Sequence, residues 1–313
     1  MLAIPASVQW PEGKRFAFTV FDDTDFATLE NTRPVYDFLG ECGFRTTKSV
    51  WPLAGRRRTS TEGSTCDNPK YLNWIFELRD AGFEIGHHMA TYHTSQRADT
   101  IKALDIFEQL FNGPPATMAN HVDCLETIYW GDSRLTGLNR QLYNIATRFG
   151  RRRISYGHVP GDPHFWGDAC QARIKYVRNF VFPEINALKL CPFMPYHDPQ
   201  RPFVNLWFAS SEGAEVRSFT DCISEEAQDR LEAEGGACIM YTHFACGFYK
   251  DGRLDQRFAD RMRRLGRKNG WFVPVRTLLD FLLASRDTHT LTDTERRTLE
   301  RRWLISKLRT GTS

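Results

Sequence analysis

The chain has 313 residues, 41% of them hydrophobic and 25% charged, with a formal net charge of +3. Such a length and composition suit one large globular α/β unit and exclude a disordered or fibrous chain. The charge is too small to argue for nucleic acid as a partner, and no apolar run approaches the length that crosses a membrane, so stable membrane insertion is not expected.

In chain order, residues 16–21 predict a strand, and residues 31–40 a helix that Gly40 ends. Residues 44–50 predict a second strand. Residues 69–81 predict a helix on the spacing of Leu72, Ile75, Phe76 and Leu78. A short strand at 83–85 precedes a histidine-rich turn. The run "SQRADTIKALDIFEQLF" is helical, with Ile101, Leu104, Phe107 and Leu110 facing a core and Ser95 as the expected N-cap. Further strands are expected at 116–119 and 153–156, with a helix at 135–149 between them. The section 157–219 is less regular, rich in Pro and Trp with short apolar runs such as "VRNFVF" and "FVNLWFAS". Regularity returns with a helix at 225–234, the strand "ACIMYTH", a helix at 254–267, the short strand "GWFVPV" and a helix through Ala284. Strands alternating with helices imply a parallel sheet, and this many units imply a closed or nearly closed (β/α) barrel.

Residues 1–285 form the expected barrel domain, and 286–313 a separate basic tail. The tail opens with a capping-box pattern, Thr292 to Glu295, and carries Leu299, Trp303, Leu304 and Leu308 as one stripe among arginines. Such a helix is expected to dock on its own barrel or on a second copy of the chain in a homo-oligomer, with a membrane surface as the weaker alternative for a basic amphipathic helix. The polar loop "GRRRTSTEGSTCDN" is long enough to be functional. Its Arg56, Arg57 and Arg58, like Arg151, Arg152 and Arg153, are surface charges that could also meet a phosphate. The eight cysteines show no C-x-x-C spacing, and the N-terminus lacks the pattern of a secretory signal. Reduced thiols and a cytoplasmic location are the expectation.

Three predicted strand ends carry residues that suit a metal: "FDDTD", "EIGHHMATYH" and "MYTH". In parallel α/β folds, chemistry gathers at the carboxyl ends of strands. An aspartate with two histidines is a sound donor set for a divalent cation and leaves positions for water and substrate. Each feature alone has a plain alternative: adjacent aspartates cap helices or sit in water, and a lone His243 can be structural. His87 and His88 are neighbours, so on an extended segment they point to opposite sides.

These residues resemble the NodB-homology polysaccharide deacetylases (carbohydrate esterase family 4), in a divergent branch close to WbmS-like proteins. The resemblance covers about residues 16–284. It rests on "FTVFDDTD" against T-F-D-D-G, "FEIGHHMATYH" against E-I-G-N-H-T-x-x-H, and "MYTHF" against a late L-x-H. It implies a distorted seven-stranded (β/α) barrel and a divalent metal, by default Zn2+, although Fe, Mn, Co or Ni suit similar donors. It also implies a hydrolase that removes an N-acetyl group from an amino sugar of a surface-polysaccharide precursor.

Carried over residue by residue, Asp22 is the general base and Asp23 a metal ligand. His88 is the first metal histidine, and His93 the second through a one-residue insertion, with His87 as the alternative. His243 is the general acid. Asp25, His87, Asn120 and His121 are further candidates for contacts to substrate or to the ligands. The departures are Thr24 in place of the motif's glycine, the added Asp25, and "NHVDCLETIYWG" where the family has R-x-P-Y. Two other functions fit the same residues: hydrolysis of a non-sugar amide, and carbohydrate binding without catalysis.

Overall fold

The computed structural model describes residues 8–147 and 155–310. Strictly alternating elements come first: β1 (Phe16–Asp22), α1 (Leu29–Glu41), β2 (Thr47–Val50), α2 (Pro69–Asp80), β3 (Glu84–His87), α3 (Arg97–Phe111) and β4 (Thr117–Met118). Helices α4 (Gly137–Ala146) and α5 (Gly167–Arg173) lead to β5 (Tyr176–Phe182). Helix α6 (Ala187–Leu190) and the short β6 (Tyr196–His197) lead to β7 (Leu206–Glu212). Then come α7 (Val216–Cys222), α8 (Glu225–Glu234), β8 (Ala237–Thr242) and the hairpin β9 (Tyr249–Lys250) with β10 (Arg253–Leu254). The chain closes with α9 (Gln256–Gly266), β11 (Gly270–Trp271), α10 (Val275–Ala284), β12 (His289–Thr290) and α11 (Asp293–Thr310).

Seven parallel strands close a ring in the order β1-β2-β3-β4-β5-β7-β8, because β8 pairs with both β7 and β1. The (β/α) barrel expected from the sequence is therefore the fold. The irregular central section contributes two full barrel strands, β5 and β7, which pair over residues Tyr176 to Ser211 with a register shift after Arg178.

Alternation along β1 sorts its side chains into two layers. Phe18 and Val20 pack outward with Val35 and Leu39 of α1. Ala17 and Phe21 pack with Met118, Phe208 and Ile239 of other strands. The same period carries on to the acidic end, where it decides which aspartate faces which side.

Local signals explain most helix ends. Thr28 and Asn31 form a reciprocal capping box on α1, and Asn68 caps α2. Ser95 does not cap α3 as expected: its hydroxyl donates to the His93 carbonyl, and Gln96 holds the N-cap position without a side-chain bond. The expected strand at 153–156 starts outside the described residues, as does the Arg151–Arg153 cluster, and Ser155 and Tyr156 belong to no strand.

Helix α11 begins with the expected box, Thr292 with Glu295. Its Leu299 and Trp303 are buried in the same apolar cluster as Phe180 and Phe208. A buried ionic network of Asp198, Arg201, Arg296 and Glu300 ties it to the barrel side. Among the described residues, no helix is long and apolar enough to cross a membrane.

Candidate metal centre and active site

Three carboxylates follow one another at the end of β1, and each meets a different partner. Asp22, the last residue of β1, is on the outward side of the alternation. Lys48 of β2 lies opposite it in register and places Nζ 3.0 Å from Oδ2, with both side chains essentially inaccessible. The Tyr36 hydroxyl donates to Oδ2 at 3.1 Å and the Phe244 N–H to Oδ1 at 2.8 Å. Burial pushes the Asp22 carboxyl up against the pull of Lys48. That carboxylate in turn outweighs burial in holding the Lys48 ammonium up. Asp22, expected as the general base, is thus part of a closed structural cluster.

Asp23 is on the inward side. Its N–H donates to the Thr242 carbonyl, and its two oxygens accept a bidentate pair of bonds from Arg178 of β5, at 2.8 and 2.5 Å. The Arg178 guanidinium lies 4.3 Å from the centre of the Tyr241 ring and 5.3 Å from that of Phe21. Burial would depress the Arg178 guanidinium, but Asp23 outweighs it. A planar fork of this kind fixes the orientation of a carboxylate as well as its charge.

Asp25 gathers the histidines. Its Oδ2 lies 2.9 Å from His88 Nε2 and 3.6 Å from His243 Nε2, and its Oδ1 lies 3.1 Å from His121 Nδ1. Burial raises its carboxyl, yet the charges of His121 and His88, with the His88 hydrogen bond, hold it well below the usual carboxylate range. His121, buried, is nevertheless raised by Asp25 and, more weakly, by Asp23. The Trp51 ring packs against both His88 and His121, with centroids at 5.9 and 5.3 Å.

Two buried nitrogens in this cluster lack hydrogen bonds: His88 Nδ1, 4.0 Å from Asp23 Oδ1, and His121 Nδ1, close to Asp25 but out of alignment with it. Orphaned imidazole nitrogens inside a core are costly unless something takes their lone pairs. The atoms of Asp25, His88 and His121 lie close enough to share one ion, as do those of Asp23, Asp25 and His243. One carboxylate and two imidazoles form the donor set of a borderline divalent cation such as zinc, so the residues fit the expected group.

Of the other expected residues, His93 and His87 lie outside this cluster, whereas Asn120 lines the cavity beside it. The His93 ring accepts from the Arg56 N–H through Nε2 at 2.9 Å and meets the Thr94 carbonyl through Nδ1, so both nitrogens are engaged away from Asp23. His87 points outward against Phe107, with both ring nitrogens buried and unbonded; burial, with the adjacent His88, pushes it down to about 3. Asn120 closes its own loop, accepting from the Ile128 N–H and donating to the Ile128 carbonyl.

His243 is partly accessible at the rim, its Nδ1 donating to the Ala214 carbonyl at 2.8 Å, so that Nε2 faces Asp25. Asp23, Asp25, His88, His121, Arg178 and His243 all line one cavity of about 260 Å3, with Phe26, Thr61, Trp130 and Tyr241 among its walls.

Sequence reasoning missed Arg178, Lys48 and Trp51. The signal for the first was present: an arginine in the middle of "VRNFVF" is a charge inside an apolar strand and needs a buried anion.

No family model and no curated protein sequence matches the chain. Solved structures do. Puue allantoinase superposes with a TM-score of 0.50 at 13% identity, over 90% of this chain and 95% of that one. A protein from Mycobacterium smegmatis, named provisionally as a polysaccharide deacetylase, gives 0.49 at 14% identity over 92% and 98% of the two chains. WbmS from Bordetella bronchiseptica, described in similar provisional terms as a polysaccharide deacetylase involved in O-antigen biosynthesis, gives 0.37 at 13% identity over 94% of each chain. The chain is thus similar in fold to the allantoinase. At these identities the likeness concerns the fold, and the chemistry rests on the side chains.

Proposed function

We propose that the cavity is the active site of a metal-dependent hydrolase that removes an N-acetyl group from an amino sugar of a surface-polysaccharide precursor. The observation that carries this reading is the convergence of Asp25, His88 and His121 beside Asp23 and His243 in a single cavity. Asp25, His88 and His121 would hold the cation, zinc by default, in place of the set Asp23, His88 and His93 that the motif spacing implies. When bound there, such an ion lowers the pKa of water and polarises an amide carbonyl.

The chain's own residues supply the rest. Asp23, oriented by Arg178, accepts the proton of the attacking water as its oxygen bonds to the acyl carbon. Asp22, with its oxygens turned to Lys48, Tyr36 and Phe244, does not enter the reaction. His243 delivers a proton from Nε2 to the amide nitrogen as the C–N bond breaks, leaving acetate and the free amine; its Nδ1 bond to Ala214 keeps the ring in that orientation. Phe26, 40% exposed, and Trp130 give apolar faces on which a pyranose ring can lie.

Metal analysis of the purified chain, paired with acetate release from N-acetylated amino sugars, tests the reading. His121→Ala and Asp25→Ala should lose the metal and the activity, whereas His93→Ala should keep the metal. A His121→Ala protein with full metal content would overturn the ligand set. A second reading, hydrolysis of a non-sugar amide, draws on the fold shared with the allantoinase. Assaying simple amides beside N-acetyl sugars separates the two. A wild-type protein that binds sugar but holds no metal and hydrolyses no amide would instead be a carbohydrate-binding protein.

A further inference from the structure

The polar loop after β2 forms a wall with a cavity on each side. Thr61 faces the cavity described above and sets its Oγ1 3.2 Å from His121 Nε2. Residues before and after it in the loop face a second, open cavity of about 670 Å3, lined by Arg56, Arg57 and Arg58 with Thr28, Ser64 and Tyr92. The wall is backbone paired with backbone. The Phe26 N–H donates to the Thr61 carbonyl at 3.4 Å, and the Ser64 N–H to the Ala27 carbonyl at 2.7 Å. Gly63 packs so tightly there that a Cβ would lie 2.8 Å from the Ala27 nitrogen. Tyr92 lines the second cavity and makes an edge-to-face contact with Trp51, which in turn meets His121.

The charges of the second cavity are unbalanced in a particular way. Arg56 is paired with Asp99, and its N–H holds His93. Arg57 and Arg58 are exposed and have no hydrogen bond or ion pair among the described residues. Glu62 and Asp67 face the same space, but Asp67 already accepts from Thr65 Oγ1. Asn68 has taken up the first free N–H groups of α2, so the donors left open are the guanidiniums and not the helix start. Free guanidiniums present paired N–H donors that match the oxygens of a phosphate, and Arg is the residue that recognises them bidentately.

We propose that this cavity binds the diphosphate of a substrate whose amino sugar occupies the Asp25–His121 cavity across the wall. The substrate class would then be a sugar joined to a carrier through diphosphate, not a neutral glycan. The proposal rests on the reading of the first cavity as an amide-hydrolysing site. The diphosphate could belong to a nucleotide or to a lipid carrier, since both offer the same oxygens to Arg57 and Arg58.

Calorimetric titration with inorganic diphosphate at low salt probes the site directly. Arg57→Ala/Arg58→Ala should bind it at least tenfold more weakly, Glu62→Gln should bind it more tightly, and Arg253→Ala, an exposed arginine elsewhere, should match the wild type. Raising the ionic strength should weaken binding, because these charges are exposed. Acetate release should be at least tenfold more efficient, as kcat/KM, from an N-acetylamino sugar bearing a nucleoside diphosphate or a short prenyl diphosphate than from its methyl glycoside. Which of the two is preferred identifies the carrier. Diphosphate binding that ignores the double substitution, or equal use of the methyl glycoside, overturns the proposal. Arginine-dependent diphosphate binding without acetate release from any sugar leaves the anion site standing and removes the hydrolase reading instead.

Discussion

Asp22, Asp23 and Asp25 lie within four residues, and the fold gives each its own cationic neighbourhood: an ammonium, a guanidinium and a set of imidazoles. A buried carboxylate is stable only when it is matched in this way. Asp22→Asn should therefore leave Lys48 as an uncompensated buried charge and cost about 3–5 kcal/mol in urea unfolding, with the metal content unchanged. Asp23→Asn should abolish acetate release and keep the metal. Glu126 makes the opposite case, a buried carboxyl with no ion pair among the described residues. Burial pushes it up to about 7 from an ordinary 4.5. Between those values the unfolded chain has released a proton that the folded chain still holds. Stability should therefore fall as pH rises through this window and level off above it, a loss of roughly 3 kcal/mol. Glu126→Gln should remove that slope in unfolding curves measured from pH 4.5 to 8.

At the level of elements, the strands and most helices were legible because apolar spacing and caps such as Thr292–Glu295 agree with the tertiary structure. The strand end was the weak point. Period-two alternation along β1 sets Asp22 outward with Phe18 and Val20 and leaves Asp23 inward with Phe21; along β3 it parts His87 from His88 in the same way. That rule alone separates the structural members of "DD" and "HH" from those in the cavity, whereas motif matching by counted spacing does not. His121 and Arg178 were harder, since they come from the segment after β4 and from β5 and are joined to Asp25 and Asp23 only by closure of the ring.

The loops at these strand ends hold several side-chain-bearing residues in the left-handed region, among them Phe26 at φ 59° and Met89 at φ 68°. For a bulky residue this conformation costs about 1–2 kcal/mol. Phe26→Gly should thus raise stability by about 1 kcal/mol in thermal unfolding. It should also raise KM severalfold through loss of the face offered to the sugar.

On the scale of the whole molecule, helix α11 packs its Leu299 and Trp303 against the barrel. The Trp303 indole is 1% exposed and packs against Phe180 and Tyr143, while Glu300 and Arg201 are buried together beneath α11. Trp303→Ala should cost about 3–5 kcal/mol, read as a lower urea midpoint with unaltered slope. We propose that a chain cut after residue 285 would lack an intact core, so that 286–313 is not a detachable domain; its circular dichroism and solubility would show this.

The pairing of β1 with β8 reaches further than stability. The first strand of the ring, buried over its whole length, finds one of its two barrel neighbours, β8 (Ala237–Thr242), only long after it has itself been made, and the Asp22 carboxylate receives the Phe244 N–H later still. On the ribosome, a nascent chain without β8 carries an open, apolar strand edge, the kind of surface that recruits chaperones or other nascent chains. A truncating lesion before β8 would therefore release not a smaller barrel but an open, aggregation-prone chain.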